Sequence, residues 1–293
     1  MENHKSMVRF NLKISKWLIP QFIIFFIIGL DIKFIICFFF IALHEISHLV
    51  VVKLMHIKTG EFKLHCLGAT LEIKDYNNLP LKEQIIICLA GPVFNILMSI
   101  IFFILSYFLK DDLLLMIVEV NLVLAIFNIM PIYPLDGFKL LEALFSLKLS
   151  YVNANKVCNS ISYTVNISLI IISMFFLAHK NISGVFIIII CFFSIFKTFK
   201  DRKNIMYAVM DNLFKKQNLI IRKKYMKTKS ISIYWDESVV SLLKILEKDR
   251  FHIFYVLDEN MRLIYILRED EFIEILNNYG NIKLKDYYNT RNK

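Results

Sequence analysis

Six apolar runs, at about 17–30, 34–53, 85–109, 113–132, 161–178 and 184–199, constrain this chain more than any other feature of it. A helix needs roughly 18–20 apolar residues to cross a bilayer, and irregular backbone cannot sit in lipid because its N–H and C=O groups would go unpaired. The breaks between runs are short: Asp31 and Lys33, then Lys110, Asp111 and Asp112, then His179 to Ser183. Such spacing predicts a polytopic α-helical membrane protein with six antiparallel transmembrane helices. Composition agrees, since 57% hydrophobic residues, 27 Phe and only 7 Gly in 293 residues exclude an ordinary soluble domain. No small-residue cleavage site follows the first run, which reads as a retained helix and not a signal peptide.

The net charge of +10 is unevenly placed. Lys5, Arg9, Lys13 and Lys16 precede the first run, and Lys197, Lys200, Arg202, Lys203, Lys215, Lys216 and further basic residues to Lys229 follow the last. Basic segments of this kind also bind nucleic acid. Flanking spanning helices, however, they mark cytoplasmic ends and contact anionic lipid headgroups, so both termini are expected in the cytoplasm with no direct nucleic-acid partner. An even number of spans agrees. Cys37, Cys66, Cys88, Cys158 and Cys191 form no CxxC pair and read as small buried hydrophobes.

Two segments depart from the helical pattern. In 54–84, Phe62, Leu64 and Cys66 alternate with polar neighbours, Gly68 interrupts, and Leu71 and Ile73 alternate again, which predicts a short β-hairpin after the second helix. From about 205 the chain turns charged. Residues 231–288 read as a strand (Ile231 to Ile233), a helix (Ser238 to Lys248), paired strands (Phe251 to Leu257, Arg262 to Leu267) and a helix (Glu269 to Tyr279), a small α+β module. The expected division is a six-helix domain at 1–200, a basic linker at 201–230 and the module at 231–293.

The chemistry-bearing residues begin with His44-Glu45-Ile46-Ser47-His48 in the second run. Residues four apart share a helix face, so both imidazoles can converge on one Zn²⁺, while Glu45 can reach a water beside the metal without being a ligand. Three ionisable residues inside a spanning helix are costly and point to function. Core histidines bonded to helix backbone would leave Glu45 unexplained. A hydrolytic zinc site needs three protein ligands plus water. The best third ligand is Asp136, in Asn128-Ile129-Met130-Pro131-Ile132-Tyr133-Pro134-Leu135-Asp136-Gly137. Pro131 and Pro134 lack backbone donors and end the fourth helix, and Gly137 permits a sharp turn. The other reading is an ordinary Asp-Gly turn. The second and fourth helices run in the same direction, so the three ligands fall on one side of the membrane. Ala90-Gly91-Pro92-Val93-Phe94-Asn95 suggests a closely packed, loosened helix.

These three motifs in this order resemble the site-2 protease family of intramembrane metalloproteases, over roughly residues 34–140. The resemblance implies that His44, His48 and Asp136 bind zinc and Glu45 is the catalytic base. It places Asn95, Asn128 and Pro134 in the substrate and active-site framework. A six-helix core followed by one module is similar to the family's sporulation subgroup. That likeness implies a CBS-type C-terminal domain that binds ATP, with Asp270 as the acidic residue holding the ribose. It also implies pairing of CBS units between subunits into a homo-oligomer, inhibitory membrane partners, and a protein substrate, the pro-form of a mother-cell sigma factor. The expected location is the mother-cell side of the outer forespore membrane. Ile264 and Leu267 stand where CBS units usually carry Gly and Thr, and Phe138 stands where the family usually has a second Gly.

Two other classes share these features. A non-proteolytic metal or nucleotide sensor would bind metal without cleaving anything. A metal transporter would need ionisable residues along several helices, and beyond Asp136 and the second helix only Glu119 lies well inside a run. The hairpin has two readings as well, an edge that pairs with an extended substrate or a plug of the cavity.

Overall fold

The structure, a computed structural model, describes residues 11–14, 32–57, 59–65, 68–73, 76, 79–179, 183–201, 216, 220, 224–247 and 250–291. The chain divides into two compact units, the first comprising residues 1–76, 82–131 and 135–140, the second 77–81, 132–134 and 141–293.

In the first unit, helices α1 (Ile32–Leu54), α2 (Leu81–Leu109) and α3 (Asp112–Ile129) accompany a three-stranded sheet of β1 (Asn11–Ile14), β2 (Thr59–His65) and β3 (Gly68–Ile73). β2 is central, parallel to β1 and antiparallel to β3, with a bulge between Thr59 and Phe62. The hairpin expected from the alternation is present. Its partner strand at 11–14 is not among the expected elements, although Val8, Phe10, Leu12 and Ile14 alternate with Arg9, Asn11 and Lys13, a period of two masked by the basic charge of the segment. α2 continues through Pro92, whose missing N–H costs one helical bond. Along α2, Leu97, Ile100, Ile101, Phe103 and Phe108 are exposed while Asn95 and Ser99 are buried. Apolar outside and polar inside is the arrangement that lipid selects. α1, α2 and α3 meet through Phe40, Val120 and Leu124, with Phe94, Met98 and Phe102 packed around them. Asp111 caps α3 by accepting a bond from the Leu113 N–H at 2.9 Å. Glu119 pairs at 2.7 Å with Lys33 at the start of α1, which accounts for an acidic residue inside an apolar helix.

α4 (Asp136–Ser146) begins in the first unit and ends in the second. In the second unit, α5 (Tyr151–Ala178) and α6 (Ser183–Asp201) pack together. α5 starts ten residues before the apolar run. Ser150 caps it by accepting from the Asn153 N–H, and buried Val152, Ala154 and Cys158 are separated by Asn153, Asn155 and Lys156, which mask the helical pattern. The C-terminal module follows: β4 (Lys227–Tyr234), α7 (Val239–Leu243), β5 (Arg250–Leu257), β6 (Leu263–Arg268), α8 (Glu271–Tyr279) and α9 (Leu284–Arg291). Its sheet runs β4-β5-β6, parallel then antiparallel, and Phe254, Val256, Leu267, Phe272 and Ile275 are buried in its core. The expected helix 238–248 shortens to α7. After Leu243 the chain tightens, with Lys244 and Ile245 donating to carbonyls three residues back.

Four helices are long and apolar enough to cross a membrane: Ile35–Leu54, Leu81–Leu109, Asp112–Ile129 and Val152–Ala178. They make this a multi-pass membrane protein. The expected span at 17–30 lies outside the described residues, and the run at 184–199 forms α6. Six spans are thus the expectation, and four helices among the described residues have the length and apolar composition of a span.

Candidate metal centre

α1 presents His44 and His48 one turn apart on the same face, and both rings are buried. The His48 Nδ1–H donates to the Ile87 carbonyl at 2.7 Å, which leaves the Nε2 lone pair pointing the other way. That Nε2 lies 3.2 Å from the Nε2 of His44. Both face one carboxylate oxygen, Asp136 Oδ2, at 2.9 Å from His48 and 3.1 Å from His44. His44 Nδ1 is buried with no hydrogen-bond partner among the described residues.

Local sequence explains the convergence. Gly91 on α2 backs the two rings so closely that a Cβ there would lie 2.3 Å from His44 Cε1 and Nε2 and 2.4 Å from His48 Nε2. The helix-packing reading of Gly91 is thereby sharpened: the space it leaves is filled by imidazoles. Asp136 opens α4, and Gly137 is needed beside it because a Cβ would sit 2.0 Å from the Ile129 carbonyl oxygen. Burial pushes the Asp136 carboxyl pKa up, but hydrogen bonds from His44 and His48 and the Lys139 cation outweigh it and hold the group well below the usual carboxylate range. It is therefore an anion.

Three donor atoms separated by 2.9–3.2 Å fit a metal ion. Tetrahedral ligands at about 2.0–2.1 Å from zinc stand about 3.3 Å apart, so little adjustment is needed, and three ligands leave a fourth position for water. Adjacent lies a cavity of about 240 Å³ lined by Glu45, His48, Ile73, Tyr76, Ile87, Cys88, Asp136 and Lys139. The catalytic candidate Glu45 thus shares a cavity with two candidate ligands. Lys139 Nζ stands 3.3 Å from Asp136 Oδ1, and the neighbouring carboxylates hold its pKa above the ordinary lysine value despite desolvation. Sequence reasoning misses Lys139 because it falls in the polar gap between the apolar runs at 113–132 and 161–178. Once α4 is known, its i,i+3 spacing from Asp136 puts both on one face. Tyr76 Oη contacts Cys88 Sγ at 2.9 Å, and Gln84 donates to the Tyr76 carbonyl, fixing the wall of the cavity.

Other expected site residues are placed less centrally. Asn95 is fully buried, and neither its amide nitrogen nor its oxygen has a partner among the described residues. Asn128 donates to the Leu124 carbonyl of its own helix. Pro134 follows Tyr133 through a cis peptide bond. Asp270 precedes α8 without capping it and pairs with Arg268 at 2.9 Å.

The chain resembles known proteins across these elements. The model of peptidase family M50 matches residues 33–112 and 110–173. The zinc metalloprotease MJ0392 of Methanocaldococcus jannaschii is 27% identical over 238 residues, 80% of this chain and 66% of that protein. Stage IV sporulation protein FB of Bacillus subtilis is 30% identical over 128 residues, 43% of this chain and 44% of its own length. The chain thus spans just under two thirds of the first relative and less than half of the second. Among solved structures, a site-2 protease from Methanocaldococcus jannaschii gives a TM-score of 0.49 at 24% identity, covering 64% of this chain and 89% of that one.

Proposed function

We propose that the chain is a zinc-dependent endopeptidase of peptidase family M50, whose model matches residues 33–112 and 110–173, and that it cleaves a peptide bond in or near the membrane. The observation that carries it is the meeting of His44 Nε2, His48 Nε2 and Asp136 Oδ2 within 3.2 Å of one another beside a cavity that also holds Glu45. His44, His48 and Asp136 would hold the zinc, which would supply Lewis acidity to a water and to the scissile carbonyl. The Glu45 carboxylate takes that water's proton and passes it to the leaving amine. His48 is kept in the ligating tautomer by the Ile87 carbonyl, and the Lys139 cation offsets the negative charge gathered by Glu45 and Asp136.

A scissile bond inside a helix is shielded, so the substrate has to be locally extended. Among the described residues β1 and β3 are the two edges of the sheet, and Ile73 at the end of β3 lines the cavity, which favours the β3 edge for an added strand. The finer reading is a pro-sigma-factor substrate, cut from the mother-cell side of the outer forespore membrane by an enzyme with both termini in the cytoplasm. Similarity to stage IV sporulation protein FB supports it. ATP binding by the C-terminal module is the corresponding proposal for Asp270, whose carboxylate would exchange Arg268 for a ribose.

The test is Glu45→Gln, co-expressed with a membrane-anchored pro-protein. One zinc per chain is retained and cleavage falls by about 100-fold or more, the scale for losing a general base. Retained cleavage would end the assignment of Glu45. Zinc without proteolysis in the parent chain would favour the sensor.

A further inference from the structure

The segment just before Asp136 is irregular, and lipid offers nothing to satisfy its backbone. Tyr133 is nonetheless satisfied at both ends by hydroxyls from two helices. Its N–H donates to Ser162 Oγ of α5 at 3.1 Å, and its carbonyl accepts from Ser194 Oγ of α6 at 2.6 Å. Asn166, one turn beyond Ser162, ties the two together, its amide nitrogen donating to Ser194 Oγ at 3.2 Å and to the Ser162 carbonyl at 2.8 Å. All three side chains are 0–2% exposed. The other buried serine on α5 does less: Ser173 Oγ merely donates to the Leu169 carbonyl of its own helix.

We infer that Ser162, Asn166 and Ser194 form a clamp that positions Asp136, the third candidate zinc ligand, by fixing the peptide groups of Tyr133. The inference rests on the zinc-protease reading. The clamp stands three residues before Asp136 along the chain. On the other side, Gly137 sits against the Ile129 carbonyl with no room for a Cβ. The ligand is therefore carried on a short stretch pinned at both ends, and a carboxylate held this way loses little freedom on binding metal. Removing one pin leaves the three ligands in the sequence but lets the carboxylate wander. Ser162, Asn166 and Ser194 are positioning residues; none of them touches the reacting atoms.

The experiment measures zinc affinity by chelator competition on the full detergent-solubilised chain, independently of proteolysis, for the parent, Ser162→Ala, Ser194→Ala and the control Ser173→Ala. The clamp variants are expected to bind zinc about 10- to 100-fold more weakly, the range for partners that orient metal ligands, with Ser173→Ala at the parent value. Unchanged affinity in both clamp variants overturns the inference, and so does an equal loss in Ser173→Ala, which would mean that any lost hydroxyl loosens the helices. Should Ser194→Ala fail to fold, Ser162→Ala removes only an acceptor and decides the matter by itself. A parent chain that binds no zinc sinks the zinc-protease reading instead, a distinguishable failure.

Discussion

Among the described residues histidine meets carboxylate in two places, in opposite styles. In the C-terminal module, His252 and Glu269 are fully buried and every atom is answered. The His252 Nδ1–H donates to Glu269 Oε2 at 3.0 Å, its backbone N–H donates to the same oxygen, and its Nε2 accepts from the Glu247 N–H. Lys216 brings a buried ammonium to the other carboxylate oxygen and to the carbonyls of Glu247 and Arg250. The imidazole has no lone pair left to offer. At His44, His48 and Asp136 the same chemical types turn inward, two ring nitrogens and an anionic oxygen crowding a common point. A proton there can bridge only one pair at a time, whereas a dication satisfies all three. A closed network marks structure, and a convergent one marks a place for an ion.

Breaking the convergent group should have the largest effect. Asp136→Ala or His48→Ala removes a ligand outright and is expected to weaken zinc binding by more than the ~100-fold typical of outer partners, with cleavage lost, as measured by metal content and chelator competition. Gly91→Ala comes next. Its new Cβ would lie 2.3 Å from the His44 ring, so the imidazoles must shift. Zinc affinity and cleavage should fall together while the helices still form by circular dichroism. Unchanged affinity in Gly91→Ala would mean that the rings are not held where the structure has them.

These predictions divide what is legible in the sequence from what is not. His44, Glu45 and His48 are legible because a helix of period 3.6 fixes their common face whatever surrounds it. Asp136 is legible only as a candidate, since nothing local says that a carboxylate 88 residues beyond His48 returns to it. Gly91 looks like a packing glycine, because which neighbour needs the space is a tertiary fact. Lys139 and α4 escape sequence reasoning because α4 lies between the apolar runs at 113–132 and 161–178 and is too short and mixed to stand out as a span. The module's strands and the pairing of β5 with β6 follow from alternation and turn residues, whereas the parallel pairing of β4 with β5 does not. Nor does Lys216: in sequence it is one more charge in a basic linker, and only the folded module reveals it as the buried partner of Glu269.

The module side of the comparison gives the next largest effect. Glu269→Gln strands the Lys216 ammonium, and removing one partner of a buried pair typically costs about 3–5 kcal/mol. Hydrogen exchange should rise across β5 and β6 while zinc affinity stays at the parent value. A loss of zinc would show that the two networks are coupled after all.

The smallest effect sharpens the comparison most, because it concerns the very next residue. Asp270 is also a carboxylate with a cationic partner, Arg268 at 2.9 Å, but both side chains reach solvent, at 38% and 59% exposure. Water competes for each, and such pairs contribute roughly 0–1 kcal/mol. Asp270→Ala is therefore expected to leave the module's stability within about 1 kcal/mol of the parent, against the several lost by its neighbour. If ATP binds here through Asp270, the same variant abolishes ATP-dependent protection of the module while hardly touching its stability without nucleotide. Protection that survives the substitution would place any nucleotide elsewhere, and a large intrinsic destabilisation would mean that exposure is a poor guide to which of these two adjacent carboxylates holds the fold.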